Sequence, residues 1–425
     1  MLTERLHSFL IIILLTLAIA ACGLGGGSGG GQGNAPSNGN ETLDKSGQVF
    51  SVEQILKETP FTLEHLKILH NFYKPYNGLG SIPPDNIQYT IKVHKVVYWT
   101  TDATAQPVKA SGLLVLPDTS TGNKPSIINY HHGTIFDNSH APTNQAFYQD
   151  TGAIIAAMNN IVMMPDYVGY GESNSSFHPY MHAERLATSS VDFLTAVTSI
   201  LSQESILTDG KLYLTGYSEG AYAALATHKM IQEKYSDQFS VTATLAGSGA
   251  YDLSTTATDA LMADTLASGA NVTYLYKAYD TIYGYNRVDS VLKEPYAGYT
   301  DTYFDGSQTD SKVDSTFSKI TAELFQETFL NDFRTDGETT IKQHLVDNSI
   351  HDWKPTSRVR LFYGVYDKVV PPKNAEATWS NMVARGAVSN VELVNCNTVP
   401  ELDANHINCM PLYLYDMVTF ILDSQ

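Results

Sequence analysis

The apolar positions of the chain follow two rhythms. Four short runs, PSIINYHHG (125–133), NIVMMPDYVGYG (160–171), KLYLTGYSEG (211–220) and VTATLAGSGAYD (241–252), are largely apolar and stop at glycine or polar residues. Between them, AERLATSSVDFLTAVTSIL (183–201) and AYAALATHKMIQEKY (221–235) repeat their apolar residues at helical spacing. Strands apolar on both faces need cover on both sides, and the intervening helices supply it. The alternation therefore predicts the α/β class, with a mostly parallel central sheet flanked by helices. RVRLFYGVYD (358–367) and NVELVNC (390–396) predict two late strands of the same sheet. Earlier, IQYTIKVHKVVYWTT (87–101) and VKASGLLVLP (108–117) alternate and are β-branched, which predicts an antiparallel pair. SVEQILKETPFTLEHLKILHNFY (51–73) reads as one or two short amphipathic helices interrupted at Pro60.

The rhythm breaks over 253–357. That stretch is rich in tyrosine (YLYKAYDTIYGY, EPYAGYTDTYF), helical in places (STFSKITAELFQETFL), and offers no strand for the sheet. It reads as an inserted, largely helical cap that divides the core into 49–252 and 358–425. Its acidic DGSQTDSKVDS (305–315) lacks the spaced ligands and terminal Glu of a calcium loop and reads as a solvated loop. With 425 residues, 43% of them hydrophobic and 16% charged, the chain can bury a large core.

The N-terminus adds a destination. Residues 1–21 carry a short polar start with Arg5 and an apolar run too short to span a bilayer, the pattern of a signal peptide. Ile19-Ala20-Ala21-Cys22 resembles a bacterial lipobox, which implies lipidation of Cys22 and a membrane anchor. Gly23 in place of the Asp that retains lipoproteins in the inner membrane implies the outer membrane. The alternative is ordinary cleavage at the small residues before Cys22, followed by secretion. Residues 22–48 then form a Gly/Ser/Asn-rich flexible tether. The balance of 44 acidic against 26 basic residues, net −18, argues against nucleic acid as a partner. Cys396 and Cys409 remain, and in an exported chain they suggest one disulfide; two reduced, separately buried thiols are the other possibility. No Cys/His zinc spacing is present, so a structural metal is not expected.

The chemistry centres on Gly216-Tyr217-Ser218-Glu219-Gly220, a G-x-S-x-G motif between an apolar strand and a small-residue helix. A serine hydroxyl is a weak nucleophile and needs a base that is itself oriented by a carboxylate. Those partners are expected in loops after later strands, acid first and His second. Asp367 ends one late strand, and His406 lies in the loop after the last one. Asp403 is a weaker rival acid. His344 and His351 fit structural roles better, as do His131 and His132 at a strand end and Asp166, which precedes Ser218.

The order Ser218, Asp367, His406 resembles the α/β-hydrolase superfamily from about Ile87 to the C-terminus. Within it, YHHGT, PDYVGYGES and HPYMHAERLATSSVDFL look like the secretory-lipase-like and prolyl-peptidase-like esterases. The resemblance implies an α/β-hydrolase fold with a cap and a serine esterase or lipase acting on small-molecule or lipid esters. It places the oxyanion-binding amides at Glu219 and at Gly133 or Thr134, and it implies no metal or organic cofactor. A Cys396–Cys409 bridge would bracket His406 and restrict its loop. A prolyl-oligopeptidase-type peptidase is the second reading, set back by the missing N-terminal propeller. A non-catalytic surface lipoprotein using the fold for binding is the third.

Overall fold

The structure, a computed structural model, describes residues 45–55, 82–120, 122–398 and 403–425. The signal peptide, Cys22, the tether up to residue 44 and, of the helices expected over 51–73, residues 56–73 lie outside the described residues.

The antiparallel pair is present as β2 (Ile91–Thr101) and β3 (Pro107–Pro117), in continuous register from Ile91 opposite Pro117 to Thr101 opposite Pro107. The apolar runs form β4 (Ser126–His131), β5 (Asn160–Pro165), β6 (Leu212–Tyr217) and β7 (Ala243–Gly247), and every residue of these four is buried. The late runs form β8 (Arg358–Tyr363) and β9 (Val391–Asn395). One expectation fails at the start. Val49–Gln54 is a strand, β1, paired antiparallel to the edge of β2, and the hydrogen bond from Ile55 N to Val93 O continues the pairing. An open sheet edge offers backbone partners that outweigh the weak helical spacing of so short a segment. The chain joins the fold even earlier, since Gly47 N donates to the Trp99 carbonyl and Trp99 N to that of Gln48.

Among the described residues the sheet has nine strands in the order β1-β2-β3-β5-β4-β6-β7-β8-β9, parallel from β5 to β9. Helices α2 (Ala183–Gln203) and α3 (Glu219–Lys234) belong to the hydrophobic cluster on one face, and α1 (Ala146–Ala156) to the cluster on the other. After β8 the chain forms α12 (Lys373–Ala384), and after β9 it ends in α13 (Met410–Leu422), which packs with α1's cluster.

Between β7 and β8 the chain runs through eight helices, all described: α4 (Leu253–Met262), α5 (Gly269–Tyr283), α6 (Val288–Val291), α7 (Tyr296–Tyr303), α8 (Asp310–Thr316), α9 (Thr321–Leu324), α10 (Glu327–Arg334) and α11 (Thr339–Asp347). Its tyrosines are mostly packing residues. Tyr274 stacks on Tyr180 at 4.6 Å and on Phe304 at 4.5 Å, and Phe304 stacks on Phe317. The acidic 305–315 stretch is not a free loop. Asp310 accepts hydrogen bonds from Phe136 N and His140 Nδ1, so part of it is fastened to the segment after β4.

Candidate active site

Ser218 stands between the end of β6 and the first residue of α3, with φ 58° and ψ −120°, a backbone state that L-residues rarely adopt. Two glycines permit it. A Cβ on Gly216 would lie 2.3 Å from Gly220 C and O, and a Cβ on Gly220 would lie 2.1 Å from the His131 carbonyl oxygen. Strand and helix therefore meet closer than any side chain allows. The amide of Ser218 donates to Gly247 O at 2.7 Å, which pins the turn to β7.

Asp367 and His406 arrive at the same sheet edge from the loops after β8 and β9. Asp367 Oδ1 accepts from the amides of Val369 (2.9 Å) and Val370 (2.8 Å), and its side chain is fully buried. Its Oδ2 lies 2.7 Å from His406 Nδ1. A carboxylate already fixed by two amides accepts from that nitrogen, so Nδ1 carries the proton and Nε2 is left bare. Nε2 lies 3.0 Å from Ser218 Oγ, positioned to accept the hydroxyl proton. The loops support one another: Tyr366 N donates to Ala404 O, and Tyr217 OH donates to the His406 carbonyl at 2.6 Å. A disulfide joins Cys396 to Cys409 across the His406 loop, with both cysteines fully buried.

The loop after β4 reaches the serine from the other side. A Cβ on Gly133 would lie 3.3 Å from Tyr217 O and 3.8 Å from Ser218 Cβ, so this backbone passes directly over the elbow. Thr134 Oγ1 is 3.1 Å from Tyr180 OH. Glu219, as first residue of α3, has an amide without an intrahelical partner. Thus the amides expected to receive an oxyanion flank Ser218.

The remaining titratable candidates do other work. Asp166 accepts from Ser111 Oγ (2.6 Å), Thr143 N (2.8 Å) and Thr143 Oγ1 (2.6 Å) and braces the turn after β5; burial raises its pKa. His131 Nε2 bonds Ser190 Oγ at 2.8 Å, and burial lowers its pKa to about 3. His132 has Nδ1 2.7 Å from the Gly133 carbonyl and Nε2 3.2 Å from that of Asp166, of which a neutral ring donates to one, and burial lowers its pKa. His344 stacks on Tyr283 at 3.6 Å, His351 lies 3.8 Å from Asp252, and Asp403 is exposed. Sequence reasoning missed two contacts, Tyr217 OH to His406 and His178 Nε2 to Glu219 Oε1 at 2.7 Å. Neither has a local signal, because each joins segments far apart in the chain. Among the described residues no cluster of His, Cys, Asp or Glu is arranged to hold a metal.

A cavity of about 380 Å³ adjoins Ser218 and Glu219. Leu253, Ala257 and Ala260 of α4, Val272 and Leu275 of α5, and Val369 make much of its wall apolar. Hydrophobic chains fit such a wall, and the reacting serine stands beside it.

A family model described as secretory lipase matches residues 146–414. No curated protein matches the chain in sequence. Among solved structures, a hydrolase of Legionella pneumophila described as putative is 23% identical, with 88% of this chain and 98% of that one covered at a TM-score of 0.76. The rice cell wall degrading esterase LipA of Xanthomonas oryzae is 23% identical, with 89% and 97% covered and a TM-score of 0.74. Candida antarctica lipase A in its closed state is 14% identical, with 89% and 83% covered and a TM-score of 0.63. Likenesses at these identities concern the fold, and the fold is that of the α/β-hydrolases.

Proposed function

Because this chain belongs to the secretory lipase family, and is on that ground a carboxylic ester hydrolase, we propose that Ser218, His406 and Asp367 are the residues that carry the reaction. Ser218 Oγ attacks the ester carbonyl while His406 Nε2 takes its proton. Asp367 holds the imidazole in the tautomer that leaves Nε2 free and stabilises the imidazolium that forms. The carbonyl oxygen, now negative, is received by the amide of Glu219 and one from Gly133 or Thr134, donors already in place before charge develops. His406 returns the proton to the leaving alcohol, and water, activated by the same base, releases the acid from Ser218.

The observation that carries this reading is the continuous chain Asp367 Oδ2, His406 Nδ1, His406 Nε2, Ser218 Oγ, with contacts of 2.7 and 3.0 Å, ending beside an apolar cavity. The cavity favours an apolar acyl or alcohol group. The helical segment 253–357, which supplies α4 and α5 to that wall, acts as the cap of the site. Export suits the family's secretory description.

The test combines a fluorophosphonate probe with p-nitrophenyl esters of two-carbon to long acyl chains. The wild type is expected to be labelled at Ser218 and to hydrolyse esters, and Ser218→Ala to lose both, with activity down by at least about 10⁴-fold. A folded wild type that the probe does not label would overturn the assignment. Cleavage of a prolyl amide in preference to the esters would favour a peptidase.

A further inference from the structure

Glu219 follows the nucleophile directly, and its carboxyl group is buried, 2% exposed, against an equally buried His178. We propose that His178 is a positioning residue that keeps the Glu219 side chain in a pair of zero net charge, so that the residue whose amide receives the oxyanion brings no free negative charge to the site. The proposal rests on the reading of Ser218 as nucleophile.

The hydrogen-bond pattern fixes the proton count. His178 Nδ1 is 2.8 Å from the Val168 carbonyl, which can only accept, so Nδ1 carries a hydrogen. Nε2 and Glu219 Oε1 are 2.7 Å apart and share one further proton. On Nε2 it makes an imidazolium beside a carboxylate; on Oε1 it makes an imidazole beside a carboxylic acid. Both arrangements sum to zero.

The groups facing the pair are His132 at the end of β4, Tyr148 of α1, Tyr167, Tyr170 and Tyr180 of the loop after β5, Tyr222 of α3 and Tyr274 of α5. Burial pushes all six phenols up and His132 down, which disfavours charge on each of them. The His178 ring lies nearly parallel to Tyr167 at 5.6 Å and is within 5.9 Å of Tyr274. A Cβ on Gly169 would come within 2.6 Å of the His178 backbone, so the chain at His178 has little room to shift. In such a water-poor setting a lone carboxylate beside a developing oxyanion raises the energy of the transition state.

The consequence is a coupling of unusual sign. If the pair were simply structural, its loss would show in stability and not in a pH-dependent fall of kcat. If charge is the point, Glu219→Gln should repair His178→Ala. Measured as kcat and KM on a p-nitrophenyl ester from pH 5 to 9, His178→Ala is expected to lose about 10–100-fold in kcat with little change in KM, and to lose more at high pH than at low. The double variant is expected to regain most of that kcat, and its profile to lose the extra fall at high pH. A double variant no better than His178→Ala, or a His178→Ala profile parallel to the wild type, overturns the proposal. Should His178→Ala not fold, ring-nitrogen NMR of the wild type decides. A His178 ring-nitrogen pattern showing Nδ1 protonated and Nε2 sharing a proton, and altered in Glu219→Gln, supports the pair, and a pattern that Glu219→Gln leaves unchanged sinks it. A wild type that resists fluorophosphonate would instead remove the reading of Ser218, while the NMR result would still bear on the pair.

Discussion

At the scale of single residues, the site depends on backbone that is held where it would not rest by itself. The Ser218 conformation costs roughly 1–3 kcal/mol, and it persists because β7, Gly216 and Gly220 leave the turn no alternative. Gly220 is the more exposed to failure, since the atoms a Cβ would meet are the backbone oxygens of His131 and His132, which belong to β4 and the loop after it. Gly220→Ala is therefore expected to lower stability by about 1–3 kcal/mol and to slow fluorophosphonate labelling sharply, read from a melting curve and a labelling time course. An alanine variant with unchanged labelling would mean the elbow tolerates the shift. These glycines and Ser218 were legible because the motif is packed into five consecutive residues. Tyr217 and His178 were not, although both touch the same elbow. Their partners are the His406 carbonyl and the Glu219 carboxyl, and a one-dimensional pattern does not record which distant loop returns beside a motif.

At the scale of elements, the apolar runs translated into strands because a strand buried on both faces leaves little else for its sequence to be. β1 was lost to a helical reading because an edge strand is decided by the neighbour's free hydrogen bonds rather than by its own pattern. The acidic stretch 305–315 is mostly exposed, as its pattern implies, but it runs into α8 and its Asp310 is fastened to the loop after β4, a contact no local pattern records. That loop, which carries the Gly133 and Thr134 amides, is gripped from the helical insertion. Asp310 takes Phe136 N at 2.7 Å and His140 Nδ1 at 2.8 Å, Gly306 O takes Asn138 N at 2.8 Å, and Tyr274 OH lies 3.0 Å from Tyr170 OH, which donates to Ile135 O. Asp310→Ala should free the loop and reduce kcat by about 10-fold or more, while Asp310→Asn, which still accepts from Phe136 N, should lose less. The hydrogen bond to Asp310 raises the pKa of His140. The ion pair is thus fully formed below about pH 6.5, the unfolded value, and is lost as pH rises through the raised folded one. Equal kcat in all three proteins would show that the loop holds its shape without Asp310.

At the scale of the whole molecule, three histidines are buried neutral at junctions between layers. His131 joins β4 to α2 through Ser190 and to β6 through the Thr215 carbonyl, and burial lowers it to about 3. His228 joins α3 to β7 through Thr244 and to Ser357 at the end of the insertion, and burial also lowers it to about 3. His182 caps α2, accepting from Arg185 N, and its Nε2 lies 3.2 Å from Tyr283 OH of α5; burial lowers it to about 4. Between those values and the unfolded value of about 6.5, the unfolded chain binds more protons at each site than the folded one does. Stability therefore falls as pH falls through that window, by up to about 1.4 kcal/mol per pH unit for each group. His140, Asp166, Asp314 and Asp416, whose pKa values are raised, act in the opposite direction, while His94 and His132, lowered by burial, add to the fall. Urea midpoints are expected to drop steadily from pH 7 to pH 4.5. His228 is the residue to test, because it lies away from the reacting groups and its hydroxyl partners also suit an amide. His228→Gln should flatten the dependence by close to one proton over this range, even if it costs stability at pH 7. A slope left unchanged by that substitution would mean that His228 takes up its proton without unfolding the chain, and that the junction it makes between α3, β7 and the insertion opens locally first.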